Sequence, residues 1–238
     1  MIHPSPRLLH QGDTALTIEF GDAIDADLNA LVLALDARLT AGGWPGVVET
    51  VPTYRSLTVH LDPVAVDPAD LGQRLLALAR EPPAPSPARA VWRVPVLYDG
   101  ADLDAVAERH GIPAGEVIAR HTAPTYRVAM LGFLPGYAYL GGLDPRLALS
   151  RRPSPRPTTP AGTVSIGGAQ ALVASIAAPS GWHLLGRTPV RSFSPARDPI
   201  FLFEPGDGVQ FVAIPVERWD ALDRAAAAGE CVAERGGA

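Results

Sequence analysis

The chain has 238 residues, 47% hydrophobic and 19% charged, with a formal net charge of −5, a balance that excludes a disordered polypeptide and requires a packed core. No apolar run reaches the roughly 18–20 residues that span a bilayer, and Met1-Ile2-His3-Pro4 has neither region of a signal peptide, so a cytoplasmic protein without a membrane partner is expected. Cys231 is the single cysteine and all 20 basic residues are arginine, which excludes an internal disulfide, a thiolate metal cluster, P-loop and protein-kinase lysines and Schiff-base chemistry.

In chain order, Ala15–Phe20 reads as a strand with Leu16 and Ile18 on one face against Thr17 and Glu19. Asp25 can cap a helix running to about Leu39, whose Leu28, Leu31, Val32, Leu35 and Leu39 form one stripe and which Gly42-Gly43 ends. Val47–Val51 follows as a strand. Ser56–Leu61 alternates, with Leu57, Val59 and Leu61 inward and Ser56, Thr58 and His60 outward. Pro68 opens a second helix with Leu71, Leu75 and Leu78 on one side. Adding a strand at Val91–Val96 gives β-α-β-β-α-β, the ferredoxin-like order. Glu81-Pro-Pro-Ala-Pro-Ser-Pro87 places four prolines in six positions, a stiff extended linker. The predicted division is therefore 1–88 and 89–238, although the sequence leaves the ownership of the Val91 strand open.

The second half changes character. A short helix from Asp102 to about His110 precedes strand-like runs at Tyr126–Leu131, Val164–Ile166, Ala171–Ile176, Ile200–Phe203 and Val209–Ile214, separated by Gly/Pro turns. That pattern predicts an all-β barrel or sandwich. A helix near Val216–Ala228 carrying Trp219 and Leu222 closes the chain.

Charge is unevenly spread. Between Pro145 and Arg197 there are seven arginines and no Asp or Glu, leaving 13 arginines against 25 acids elsewhere. A basic segment in an acidic chain points to a local anion site and not to nucleic acid. The alternative is that these arginines bridge the protein's own acids or a partner subunit. A phosphate would have to be met by arginine forks and backbone N–H groups.

Met130-Leu-Gly-Phe-Leu-Pro-Gly-Tyr-Ala-Tyr-Leu-Gly-Gly-Leu-Asp-Pro-Arg146 holds four glycines and two prolines in 17 positions, a composition that shapes a rigid loop. This run resembles the signature of the KipI-like family, also known as the B-type component of 5-oxoprolinase or as allophanate hydrolase subunit 1. Arg151–Val164, Ile166-Gly-Gly-Ala-Gln170, Ser180–Pro189, Gly12–Leu16 and Tyr54–Leu57 are similar to further family motifs. Two departures are Gln170–Ser175, where the family usually shows Gln-Thr-Gly-(Ile/Val)-Tyr-Pro, and Ala178–Trp182, where it tends to Ser-Pro-Gly-Gly-Trp.

The resemblance implies an α+β protein: a small ferredoxin-like domain, then a cyclophilin-like β-barrel. It implies one component of an ATP-dependent 5-oxoprolinase, converting 5-oxo-L-proline to L-glutamate with a KipA-like partner (the C-type component) and a third, A-type component, and inactive alone. The alternatives it carries are a histidine-kinase inhibitor and an allophanate hydrolase or urea carboxylase-type carboxyltransferase component. The chemistry would phosphorylate the lactam oxygen from ATP, with Mg²⁺ arriving on the nucleotide, and needs anion stabilisation and a positioned acid or base. Arg152, Arg156 and Arg187 are the expected clamp for phosphate or carboxylate. Gly136, Gly167 and Gly168 are read either as backbone donors or as tight turns needing φ > 0. His121, in the turn before Thr122-Ala-Pro124, is the candidate for proton transfer, with a surface or capping histidine as the alternative and His183 as second candidate. Gln170 can hydrogen-bond a lactam. Phe133, Pro135, Tyr137 and Tyr139 are read as plain barrel core, or as lining a shallow pocket or a subunit contact. No histidine pair has metal-ligand spacing, so no protein-built metal site is expected.

Overall fold

A computed structural model describes residues 2–83 and 89–236. The chain forms two compact units, Met1–Pro87 and Ala88–Ala238. Residues 84–88, within the expected proline-rich linker, lie outside the described residues. Among the described residues no helix is long and apolar enough to cross a membrane.

In the first unit, β1 (Ile2–His10), β2 (Ala15–Gly21), α1 (Ala26–Gly42), β3 (Val47–Pro52), β4 (Ser56–Leu61) and α2 (Pro68–Arg80) follow one another. Asp25 caps α1 by accepting from the N–H groups of Asp27 and Leu28, at 2.8 and 3.0 Å. Gly43, at φ 54°, ends it in the left-handed conformation that glycine adopts without strain. Leu28, Val32, Leu35 and Leu39 on α1 pack with Leu71 and Leu75 on α2 against Leu16, Ile18, Leu57 and Val59. Asn29, the polar interruption of the α1 stripe, is buried and donates to the Thr53 carbonyl at 3.1 Å.

The four strands pair antiparallel in the order β1-β2-β4-β3. That is the ferredoxin-like neighbour order with its edge strand drawn from the amino-terminal side. β1 fills the edge, and the Val91 strand, whose ownership the sequence leaves open, pairs in the second unit. With β1 and β4 on either side, β2 is buried along its whole length. Its polar face is satisfied internally. Thr17 bonds Thr58 at 2.9 Å, while Glu19 meets Arg7, His3 and Arg55.

The second unit contains β5 (Val91–Val96), α3 (Leu103–His110), α4 (Ala114–Thr122), β6 (Tyr126–Leu131), β7 (Ala138–Gly141), β8 (Arg156–Thr159) and β9 (Thr163–Gly167). It continues through β10 (Gln170–Val173), β11 (Ala178–Ser180), β12 (His183–Arg187), β13 (Gly208–Ala213), α5 (Trp219–Ala227) and β14 (Glu234–Gly236). Eight strands order as β12-β9-β10-β7-β6-β13-β5-β14. A bridge between Leu97 and Arg187, with N–H···O distances of 2.9 Å in both directions, joins the end of β5 to β12. That bridge closes the sheet on itself. The interior is apolar, built from Val94, Val96, Val128, Leu140, Ile166 and Phe211 among others, with α3 and α4 contributing Val106 and Val117. The expected strand at Ile200–Phe203 is absent; only Phe201 makes an isolated bridge, to Phe193, and Phe203 is instead a buried core side chain.

Candidate functional site

After β5 the chain runs alongside β12. Gly100 N–H donates to the Leu185 carbonyl and Asp102 N–H to that of Leu184, each at 3.1 Å. Glycine is required at 100 because a Cβ there would collide with the backbone of Leu184–Gly186. Asp99 and Asp102 are thereby fixed at the edge of β12, Asp102 just ahead of α3.

The arginines of the acid-free stretch converge on this turn. Arg152 Nη1 and Arg156 Nη2 both donate to Asp102 Oδ1, at 3.0 and 2.7 Å. Asp102 Oδ2 accepts from Leu184 N–H at 2.8 Å. Asp102 is 3% exposed. Burial alone would raise its pKa, but the Arg156 hydrogen bond, the Leu184 N–H and the charges of Arg156 and Arg152 outweigh it and hold the carboxyl below its ordinary value. Two guanidinium groups thus share one carboxylate, leaving an excess positive charge. Arg152 Nε and Arg156 Nη1 are buried and have no partner among the described residues. Ser165 Oγ is likewise buried and unpartnered. Ser165 lies directly across from Leu172 and Leu184 and so shares their face of the sheet. Leu172 on that face packs with Ala178 of β11. The small β8–β11 ribbon that pairs Arg156 with Ser180 therefore covers it. Unpartnered buried donors are uncommon in folded proteins.

Arg187 is not part of that cluster. Its guanidinium pairs with Asp99 at 2.9 Å and stacks 4.0 Å above the Trp219 ring. The remaining arginines are also largely occupied. Arg146 pairs with Asp144 and Arg191 with Asp223, and Arg197 donates to the carbonyls of Pro199, Arg191 and Ile200. The bridging of the protein's own acids therefore accounts for most of the basic stretch, and the anion-clamp expectation is narrowed to Arg152 and Arg156.

The glycines serve packing. Gly167 lies under Trp182, where an added Cβ would approach Cδ2 to 2.7 Å, and Gly136, at φ 69°, faces Phe193 at the same distance. Gly168, at φ 62°, donates its N–H to Leu149 O at 2.7 Å, so its reading as an anion donor is corrected. The Pro135 carbonyl accepts from Ser175 Oγ. Tyr137 is a core residue, 3% exposed, edge-to-face with Phe133 and tilted against Tyr139, which in turn meets Trp182 edge-to-face. Phe133 is 66% exposed and, among the described residues, is the single non-glycine residue at positive φ, 71°. Gln170 opens β10 opposite Gly167 and sits at a hairpin.

His121 lies in the last turn of α4, not in a loop, and is 0% exposed. Its Nδ1 meets Tyr98 Oη at 2.7 Å and its ring stacks on Phe211 at 4.7 Å. Burial holds its pKa down to about 3. A neutral imidazole sealed in the core has no access to a substrate proton, so the proton-transfer role expected of it is corrected. His183 is also buried, with Nε2 2.9 Å from Ser150 O. The residue that reading the sequence missed is Asp102. Its helix-start position was visible, whereas its distance of 50 and 54 residues from its arginines concealed the pairing.

Residues 6–203 match the family described as carboxyltransferase domain, subdomain C and D. A Bacillus subtilis (strain 168) protein, named as the B-type component of 5-oxoprolinase, is 38% identical over 220 residues, covering 85% of this chain and 90% of its own length. The crystal structure of TTHA0988 superimposes with a TM-score of 0.77 at 37% identity, covering 84% of this chain and 40% of the solved one; the chain thus spans less than half of that protein. The Kluyveromyces lactis urea amidolyase structure gives a TM-score of 0.83 over 99% of this chain and 17% of the larger one, at 18% identity, a likeness of fold.

Proposed function

The chain belongs to the carboxyltransferase subdomain C and D family, and from that premise we propose that it is the B-type component of a 5-oxoprolinase, a hydrolase assembly that opens 5-oxo-L-proline to L-glutamate. The observation that carries this reading is the 38% identity to a protein of that name across 90% of its length. In this reading ATP, with its Mg²⁺, activates the lactam oxygen, and the KipA-like partner and a third component complete the site. The chain's own contribution is the Arg152–Arg156 pair, whose surplus charge and two unpartnered guanidinium nitrogens suit one carboxylate or one phosphoryl group. That donor set is too small for a triphosphate, so most of the nucleotide's binding falls to a partner. Arg187 and the glycines hold the scaffold around the pair.

Reconstitution tests the proposal. The purified chain alone is expected to show negligible 5-oxoproline-dependent ATP hydrolysis, and addition of both partner components is expected to bring it to the full rate. Full activity without partners, or none from the complete set, contradicts the proposal. The family's description as a carboxyltransferase favours one second reading, action on a urea-like substrate with a biotin protein. Turnover of urea, but not of 5-oxoproline, in the same assembly would select it.

A further inference from the structure

A separate cavity of about 170 Å³ lies on the outer face of the barrel, where β5 and β13 run parallel beneath α5. Val94, Val96 and Phe211 of these strands point into the core. By alternation, Arg93, Pro95 and Val212 point outward, and it is these that line the cavity. Five of its eight lining residues, Pro95, Val212, Ile214, Leu222 and Val232, are apolar. Its size is comparable to the cavity of about 150 Å³ that accepts benzene in an engineered protein core.

The rim is charged and unbalanced. Arg93 and Glu234 form a loose pair at 3.6 Å, both mostly exposed. Arg218 is the third charged lining residue, and its guanidinium has neither ion pair nor hydrogen bond among the described residues. Two guanidinium groups thus face one carboxylate at the mouth of a cavity of mixed lining. Six lining residues, Val212, Ile214, Arg218, Leu222, Val232 and Glu234, lie past residue 203, where the family match ends. The cavity is therefore distinct from the Arg152–Arg156 cluster, and the inference stands apart from the proposed oxoprolinase role.

We propose that this cavity is a binding site for a small monocarboxylate whose apolar body is about the size of a benzene ring. The body fills the well between Val212 and Leu222, and the carboxylate meets Arg218 at the rim. A single unpaired guanidinium matches a single negative charge. Glu234 on the same rim disfavours multiply charged anions by repulsion.

The test is titration of the full chain, followed by methyl NMR, with benzoate, benzamide, acetate and phthalate as probes. Benzoate is expected to bind with a dissociation constant of about 1 mM or tighter and to shift the methyl signals of Val212, Ile214, Leu222 and Val232. Benzamide and phthalate should bind at least about tenfold more weakly, and acetate should not saturate. Arg218→Gln, at an exposed position, leaves the fold intact and should reduce benzoate affinity to that of benzamide while leaving benzamide unchanged. Equal affinity for benzoate and benzamide, indifference to Arg218→Gln, or the lack of any shift at those four methyls would each overturn the proposal.

Discussion

Replacing Asp102 by alanine is expected to destabilise the second unit by about 3–4 kcal/mol. Asp102 is 3% exposed and is the shared partner of Arg152 and Arg156. Its removal leaves two guanidinium groups facing each other without a counter-charge, and it also strips the buried Leu184 N–H of its acceptor. The arginine side chains are 34% and 24% exposed, so water relieves part of the repulsion and keeps the cost toward the lower end of the range for broken buried pairs. Asp102→Asn retains an acceptor for Leu184 and should fall between alanine and wild type. Urea unfolding in a Trp44→Phe background reads the second unit, because Trp92, Trp182 and Trp219 all lie there. A loss below about 1 kcal/mol for the alanine variant would mean that the cluster contributes little to stability.

Acidification provides the second large effect. In the native state the His121 pKa is held down to about 3 by burial, whereas in the unfolded chain it returns to roughly 6.5. Between these values the unfolded state binds the proton and the native state does not, so stability is full above pH 6.5 and falls as the pH drops toward 3. At pH 5 the loss from this one group is about 2 kcal/mol. Asp102, whose pKa is lowered, acts in the same direction but only below the ordinary carboxylate range near 3.8, so the two windows separate. The His121→Phe/Tyr98→Phe double variant removes the titrating ring without stranding the Tyr98 hydroxyl and should flatten the pH 7.5 to pH 5 difference in urea unfolding. An unchanged slope, or a His121 resonance titrating near pH 6.5 in the folded protein, would contradict the account.

Local patterns carried the elements of the first unit. The alternation of Leu57, Val59 and Leu61 and the Asp25-to-Gly43 helix are written in contiguous residues. The edge strand was not legible, because β1 contains Pro6, Arg7 and His10 and lacks a clean alternation; edge strands tolerate such residues, and their pairing is chosen by distant partners. The same reason hid the pairing of Asp102 with its arginines. The basic stretch was read either as an anion site or as arginines bridging acids, and five of its seven arginines pair with aspartates. Composition could not distinguish arginines held by their own aspartates from arginines left with spare donors, nor a glycine under Trp182 from one offering its N–H to a ligand. His121 could be seen as a histidine near a turn, but its burial depends on Phe211, 90 residues further along the chain.

In the proposed role, Arg152 and Arg156 present a surplus positive charge and free N–H groups to an anionic part of the substrate. It is tested most directly by Arg156→Gln in the reconstituted assembly, with Asp102 still paired to Arg152 so that the fold is kept. The expected result is a fall in kcat/KM for 5-oxo-L-proline of about tenfold or more, on the scale of a lost charge-assisted hydrogen bond, in a variant that stays folded but is less stable than wild type, by less than the Asp102→Ala loss. Wild-type kcat/KM in that variant would contradict it.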